Sequence, residues 1–407
     1  KYGGLYAPSW AIFNRETVHG LTWHWMTPGI DEGDIIKQIE LSVLESETAF
    51  TLNIKCYDAA LESFPKLIDA LAFDQVEAKT QNQQQRLYFN AVQRPTPGCV
   101  VDWNWRAQTI DALIRSLDFG TYRNRFGLPK LYLEGKFYLI TQLEISNQVS
   151  DTPSGTIVEL ASDYLQISTA SQDVIVRSLQ TLEGQDLSLK DLAVELNLQV
   201  GYCLESLPVV LNRQIEEIEA DCLRSETFWV KQLSNWEPFK LPIPEQSRTA
   251  VSPFSVRQKK LWESHEICQN LLSQISIECS PQDFLLTAFV TYLARISQSS
   301  CFSIGIGSSI ISPPESKLNQ LFTSVIPCNL EINLEKNFEN IFGLVQQQIN
   351  KVKKSKTFHR DIVTRYPELT NLQNLRIEQH LPVNVQLTET LADYPVNTNH
   401  KFVLVIA

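Results

Sequence analysis

The stretch HGLTWHWMTPGIDEGDII, residues 19–36, places His19, His24, Asp31, Glu32 and Asp34 close together. Near neutral pH a carboxylate accepts protons and an imidazole both takes and gives them. A histidine and an aspartate seven apart could therefore move a proton to or from a reacting amine or hydroxyl. GLTWHWM alternates as a strand does, and PGIDEGD reads as a turn in which Gly33 supplies backbone freedom. His24 thus stands at the end of a strand, and Asp31 lies beyond the turn. The same residues also suit a hydrogen-bonded histidine on a half-buried strand followed by a solvated acidic turn. Spacing alone leaves both readings open.

Whatever the turn does, flanking elements must hold it. SWAIFNRE, residues 9–16, reads as a short amphipathic helix, and a longer one is expected over about 49–71. Its apolar stripe is Leu52, Cys56, Ala60, Phe64, Leu67, Ile68 and Leu71, with Ser46 or Thr48 as N-cap and Pro65 expected to kink or divide it. TQNQQQR, residues 80–86, is polar and unpatterned and reads as a linker. VVDWNWRAQTIDALIRSL then gives a short strand and a helix over about 106–117. KFYLITQLEI, SGTIVELA, DYLQIST and DVIVRSLQTL follow as short strands, which together suggest a small OB-like β-barrel. From Pro208 long helices appear, then a Pro-rich extended stretch WEPFKLPIPEQ, a helix at 281–297, and strands and helices to the end. There is no internal repeat.

The chain has 407 residues, 43% of them apolar, which is room for several domains each with its own core. Its net charge is −11, and KVKKSK at 351–356 is the one basic run, so binding a nucleic-acid backbone is not expected. The longest apolar run, Phe284 to Ala294, falls short of the ~18–20 residues of a membrane span, and the start has no signal-peptide pattern. Eight cysteines are dispersed without a CxxC pair, as in a reduced, cytoplasmic protein, and no metal site is expected. The chain opens at Lys1, its one methionine is Met26, and it reads as a piece of a longer polypeptide.

KYGGLYAPSWAIFNRETVHGLTWHWMTPGIDEGDII resembles the folate-dependent formyltransferases. The likeness runs through a Tyr-x-Gly loop, a Trp-containing helix, a Gly-x-Thr-x-His strand and a Gly-Ile-Asp-x-Gly-Asp turn. It implies that residues 1–79 are the tail of a Rossmann-like catalytic domain. It also implies that Asp31 helps take the proton from an attacking amine and that His24 orders Asp31. Gly29, Ile30 and Asp34 would line the donor, formyltetrahydrofolate. Formyl transfer passes through a tetrahedral species, so an oxyanion needs donors and the ammonium needs a base. In the family the donors come from an Asn-x-His pair, which would lie just upstream of Lys1; a fragment without them is expected to turn over hardly at all. VDWNWRAQTIDALIRSLDFG and the strands after it resemble the family's C-terminal domain, over 87–205, with Asp102 and Trp103 as capping and packing residues.

After a linker helix at 206–225, residues 226–407 resemble the C-terminal lobe of a nonribosomal peptide synthetase condensation domain, an α/β lobe of the chloramphenicol acetyltransferase kind. SETFWVKQLSNWEPFKLPI, QDFLLTAFVTYLARISQSSCFSIGIGSSI and LFTSVIPCNLEINLEKNFENIF carry that likeness. The family's HHxxxDG loop is missing, so no condensation activity is expected, and His359 and Asp361 are expected on a helix surface or in a structural role between lobes. The combined resemblance implies an initiation module in secondary metabolism, acting on the amino group of a carrier-bound amino acid. Adenylation and carrier domains of the same polypeptide would be its partners, with phosphopantetheine on the carrier alone. A free-standing formyltransferase acting on aminoacyl-tRNA or an aminosugar nucleotide, and a non-catalytic scaffold, are the rival readings.

Overall fold

The computed structural model describes residues 2–82, 84, 86–240, 270–273, 279–307, 317–387 and 402–406. The chain divides into two compact units. One comprises 1–227 with 315–322 and 358–374; the other takes 228–314, 323–357 and 375–407.

The first unit begins with β1 (Tyr2–Gly4), α1 (Ala7–Phe13), the antiparallel pair β2 (Val18–His24) and β3 (Ile35–Ser42), and α2 (Ala49–Ala72). β4 (Leu87–Phe89) returns to pair parallel with β1. Trp10 of α1 stacks on Phe89, with centroids 4.2 Å apart and planes 12° apart. On the other side of α1, Ala11 and Ile12 pack against Ala49 and Leu52 of α2. Thr48 and Thr51 form a reciprocal cap, each hydroxyl accepting the other's amide at 3.2 and 2.9 Å.

Of the kink or division that the sequence suggests at Pro65, the division does not occur: α2 is one helix from Ala49 to Ala72. The carbonyl deprived of a partner belongs to Leu61, on the exposed face, so the missing bond costs the core nothing. Burial also departs from the expected stripe. Leu52 and Leu67 are buried, whereas Phe64 and Ile68 are exposed, as are Ile54, Tyr57 and Leu61. The helix turns one narrow face to α1, β2 and β3, and the neighbouring apolar residues are left over.

α3 (Ala107–Ser116) leads into β5 (Lys130–Leu133), β6 (Lys136–Ile145), β7 (Ile157–Leu160), β8 (Leu165–Ile167), β9 (Val174–Gln180) and β10 (Asp186–Leu187). All pairings among these strands are antiparallel, in the order β5-β6-β9-β8-β7, with β10 on β9. β5 and β7 are the ends of an open path, so the closure that defines a barrel is not among the described pairings. Ile110, Leu113 and Leu117 of the α3 region fill the sheet's apolar face with Leu131, Ile140, Ile167, Val176 and Leu179, and Trp10 and Phe89 join the same core. α4 (Leu189–Glu195) and the long α5 (Val209–Ser234) follow, and the boundary between units at 227/228 falls inside α5.

Residues 358–374 add a buried charge network to the first unit. Lys130 of β5 and Asp361 meet at 2.7 Å, each side chain 2% exposed. Arg365 bonds Asp361 at 2.9 Å and grips Glu226 of α5 with two nitrogens at 2.7 and 3.3 Å, while the Tyr366 hydroxyl donates to the same carboxylate. His359 lies 3.3 Å from Glu219, whose other oxygen accepts the Gly98 amide at 3.1 Å. The sequence reading puts His359 and Asp361 on a helix surface or between lobes. Both are instead buried inside the first unit, just ahead of the four-residue α8 (Ile362–Arg365).

This network makes the unit acid-sensitive. Burial pushes the Asp361 carboxyl up, but Lys130, Arg365 and His359 outweigh it and hold the group well below the usual carboxylate range. Glu219 is likewise raised by burial and lowered further by His359, Arg94 and the Gly98 amide. Both folded values lie below the unfolded ones. Their stabilisation is therefore complete above about pH 4–5 and is lost as pH falls through the folded values. Urea midpoints followed by tryptophan fluorescence should be level from pH 7 to about 5 and decline below about 4. Asp361→Asn should flatten that decline.

In the second unit β11 (Cys301–Gly307) pairs antiparallel with β12 (Val325–Glu331) and parallel with β13 (Val383–Leu387), which pairs parallel with β14 (Phe402–Ile406). α6 (Pro281–Ser297) starts where Ser280 caps it, accepting the Asp283 amide at 3.1 Å, and α7 (Phe338–Ser355) starts at an Asn337 cap. Fully buried Trp229 donates its indole N–H to the Ser355 carbonyl at 3.1 Å. The part of the extended stretch WEPFKLPIPEQ beyond Lys240 and residues 308–316 lie outside the described residues. No described helix is long and apolar enough to cross a membrane.

Candidate functional site

β2 and β3 carry the candidate residues to one end of their ribbon. Between Trp23 and His24 the register shifts, leaving Ile36 as the extra residue of a bulge, and Trp25 N–H closes the turn on the Asp34 carbonyl at 3.0 Å. Bulges re-aim side chains, and this one precedes the turn of residues 25–34. The ribbon is anchored to α2 by the Trp23 indole, which donates to Ser63 Oγ at 3.0 Å. Two glycines have no substitute here. A Cβ on Gly33 would sit 1.7 Å from the Trp25 carbonyl oxygen, and Gly4, at φ 89°, would drive one to 2.1 Å from the Phe89 carbonyl.

His24 and Asp31 come together across the turn. Asp31 Oδ1 lies 3.9 Å from His24 Nε2, and Asp31 Oδ2 accepts the Gly4 amide at 3.0 Å. His24 Nδ1 is 2.9 Å from the Trp25 carbonyl, a contact that requires the proton on Nδ1. The neutral ring therefore presents the Nε2 lone pair toward Asp31, and the charged ring presents an N–H. The side chains are 26% and 46% exposed, open enough for a substrate amine to reach. Asp31 itself has φ 53°, a left-handed conformation uncommon for a residue with a Cβ.

The remaining turn residues contribute backbone. The Gly29 carbonyl accepts the Thr27 hydroxyl at 3.3 Å, the Ile30 carbonyl accepts from Arg86, and Asp34 supplies the carbonyl that closes the turn. The Ile30 side chain is exposed beside Asp31. Arg86 also pairs with Glu32 at 3.1 Å. Gln81 donates to the carbonyls of Asp31, at 3.1 Å, and Gly33. Both residues belong to the stretch that the sequence suggests is a linker. Nothing in its polar, unpatterned composition signals that role; the pairing of Lys79 with Ile35 brings it to the turn. Gly4, by contrast, stands in the Tyr-x-Gly motif. Among the described residues no group of three or more His, Cys, Asp or Glu could hold a metal ion.

Comparison with known proteins bears on both halves of the first unit. Residues 1–68 match the formyl transferase family, and residues 97–197 match the family described as formyl transferase, C-terminal domain. The methionyl-tRNA formyltransferase of Clostridium tetani is 24% identical over 205 residues, half of this chain and 64% of the relative. That of Desulfotalea psychrophila is 27% identical over 180 residues, 44% of this chain and 53% of the relative. The chain thus spans less than two thirds of the length of either. Among solved structures, the N-formyltransferase from Helicobacter canadensis, in complex with folinic acid and dTDP-3-aminofucose, aligns over 46% of this chain and 62% of its own at 21% identity, with a TM-score of 0.35. HypX from Aquifex aeolicus, in complex with tetrahydrofolic acid, aligns over 49% and 34% at 16% identity and 0.34. The match over residues 1–68 takes in both His24 and Asp31, and the match over residues 97–197 to the C-terminal domain follows it in the same order.

Proposed function

We propose that this chain takes part in formyl transfer from formyltetrahydrofolate to an amine, with Asp31 as proton acceptor and His24 ordering it. The observation that carries the proposal is the Asp31 carboxylate. One oxygen is fixed by the Gly4 amide and the other is left open beside His24 and solvent. An amine attacking a formyl carbon becomes acidic as the bond forms, and an ionised carboxylate within reach removes that proton. The folate donor supplies the formyl carbon. The exposed Ile30 beside Asp31 offers an apolar face to a flat heterocycle, and Gly29 and Asp34 belong to the same turn. The methionyl-tRNA formyltransferases that resemble this chain support formyl transfer as the reaction.

The acceptor is proposed to be the amino group of a carrier-bound amino acid at the start of a nonribosomal assembly line. What supports this is the resemblance of residues 226–407 to a condensation lobe without its HHxxxDG loop; on this reading the lobe is a platform for adenylation and carrier domains. The division into 1–79, 87–205, 206–225 and 226–407 belongs to the same proposal. The polypeptide bearing this chain, with formyltetrahydrofolate, should be offered an aminoacyl-phosphopantetheine thioester on a carrier, the free amino acid, initiator methionyl-tRNA and a dTDP-aminosugar. Mass spectrometry should show one formyl group gained fastest on the carrier arm. Faster transfer to the tRNA or the sugar nucleotide would reassign the acceptor, and formylation of none would remove the activity.

A further inference from the structure

We propose that Gln81 is a positioning residue of the Asp31 site: its side-chain amide holds the turn in the one conformation that presents the Asp31 carboxylate to Gly4 and His24. The proposal rests on the reading of Asp31 as proton acceptor. A left-handed aspartate persists only where its surroundings over-determine it. Here the backbone carbonyls of Asp31 and Gly33 both face Gln81 Nε2. Two carbonyls converging on one point repel each other unless a donor stands between them, and a primary amide nitrogen carries two N–H groups for that purpose. Gln81 is seated by the pairing of Lys79 with Ile35, whose reciprocal amide bonds measure 2.8 and 2.7 Å. Arg86 holds the flanking Ile30 carbonyl and Glu32. The turn is thus clamped at residues 30, 31, 32 and 33 from a segment fifty residues on, with Gln81 the member that touches Asp31.

The Gly4 amide reports on this clamp without any need for turnover, because it donates to the Asp31 carboxylate. In the full chain labelled with ¹⁵N-glycine, Asp31→Ala should move the Gly4 amide resonance upfield and speed its hydrogen exchange. Gln81→Ala should do the same, and the double variant should go no further, since both remove one arrangement. Gln81→Glu keeps the shape but sets a carboxylate against two carbonyls, so it should disturb Gly4 at least as much; a merely space-filling Gln81 would tolerate it. Gly98, bonded to Glu219, is the control and should not move. In a formyl transfer assay of the polypeptide bearing this chain, Gln81→Ala should lower kcat about 10–100-fold with KM for the donor within about twofold. A Gly4 amide unmoved by Gln81→Ala or by Gln81→Glu, or effects of Asp31→Ala and Gln81→Ala that simply add, would overturn the proposal. Absence of formyl transfer alongside the non-additive Gly4 result would sink the proposed activity and leave the clamp standing.

Discussion

In the polypeptide bearing this chain, Asp31→Asn is expected to leave the fold intact and to lower formyl transfer by about 10²–10⁴-fold, the share that general acid–base catalysis usually supplies. Asparagine tolerates the left-handed backbone that Asp31 adopts, and its side-chain oxygen can still accept the Gly4 amide. What it loses is the charge and the capacity to take a proton. The variant therefore separates chemistry from architecture, which Asp31→Ala does not, because alanine also frees Gly4. His24→Ala should cost less, since the imidazole lies 3.9 Å from the carboxylate and acts through it. Steady-state rates with formyltetrahydrofolate, beside circular dichroism of each variant, make the measurement. A turnover within about threefold of wild type for Asp31→Asn would end the assignment of this carboxylate as base.

Arg365→Met should destabilise the first unit by about 3–5 kcal/mol, the usual consequence of breaking a buried ion pair from one side. Methionine fills similar space and removes the charge, leaving Glu226 and Asp361 to face each other's field at 4% and 2% exposure. Lys130 would still hold Asp361, but among the described residues Glu226 would keep only the Tyr366 hydroxyl as a hydrogen-bond partner. The Asn124 carbonyl would lose its guanidinium donor as well. Adding Glu226→Gln should recover part of the loss, making the pair of changes less than additive. Urea unfolding at pH 7 tests both claims. A loss under about 1 kcal/mol for Arg365→Met would mean that the network is no more than a surface-like set of charges.

How far the sequence could be read depended on whether the signal was local. The helix at 281–297 and the strand KFYLITQLEI carry their own periodicity, and α6 and β6 follow it. The closeness of His24 and Asp31 was legible because the strand end and the turn after it are neighbours in sequence. Gln81 was not, since a glutamine in a polar stretch has no pattern, and only long-range pairing at Lys79 gives it a target. His359 and Asp361 misled for a related reason: charged residues ordinarily face solvent. Their burial depends on Lys130, Glu219 and Arg365, partners that lie near only once the chain has folded. Pro65 leaves α2 undivided, since the helical bond it removes is that of Leu61, on the exposed face.

The three separate visits of the chain to the first unit set an order of assembly during synthesis. Translation releases residues 1–227 first, and with them Lys130, Glu219 and Glu226, but the cations and the anion that answer them are at 359–365. Until the ribosome has passed that point those three side chains must stay hydrated, because burying them alone costs several kcal/mol apiece. The first unit therefore cannot close until residues 358–374 have been made, although 227 of its residues are long finished by then, and the second unit, which needs 375–407, waits longer still. Most of the second unit's sequence has already been threaded out when the last strap arrives, so the nascent chain carries an open first unit through much of its synthesis, with the exposure to misassembly that such a wait entails.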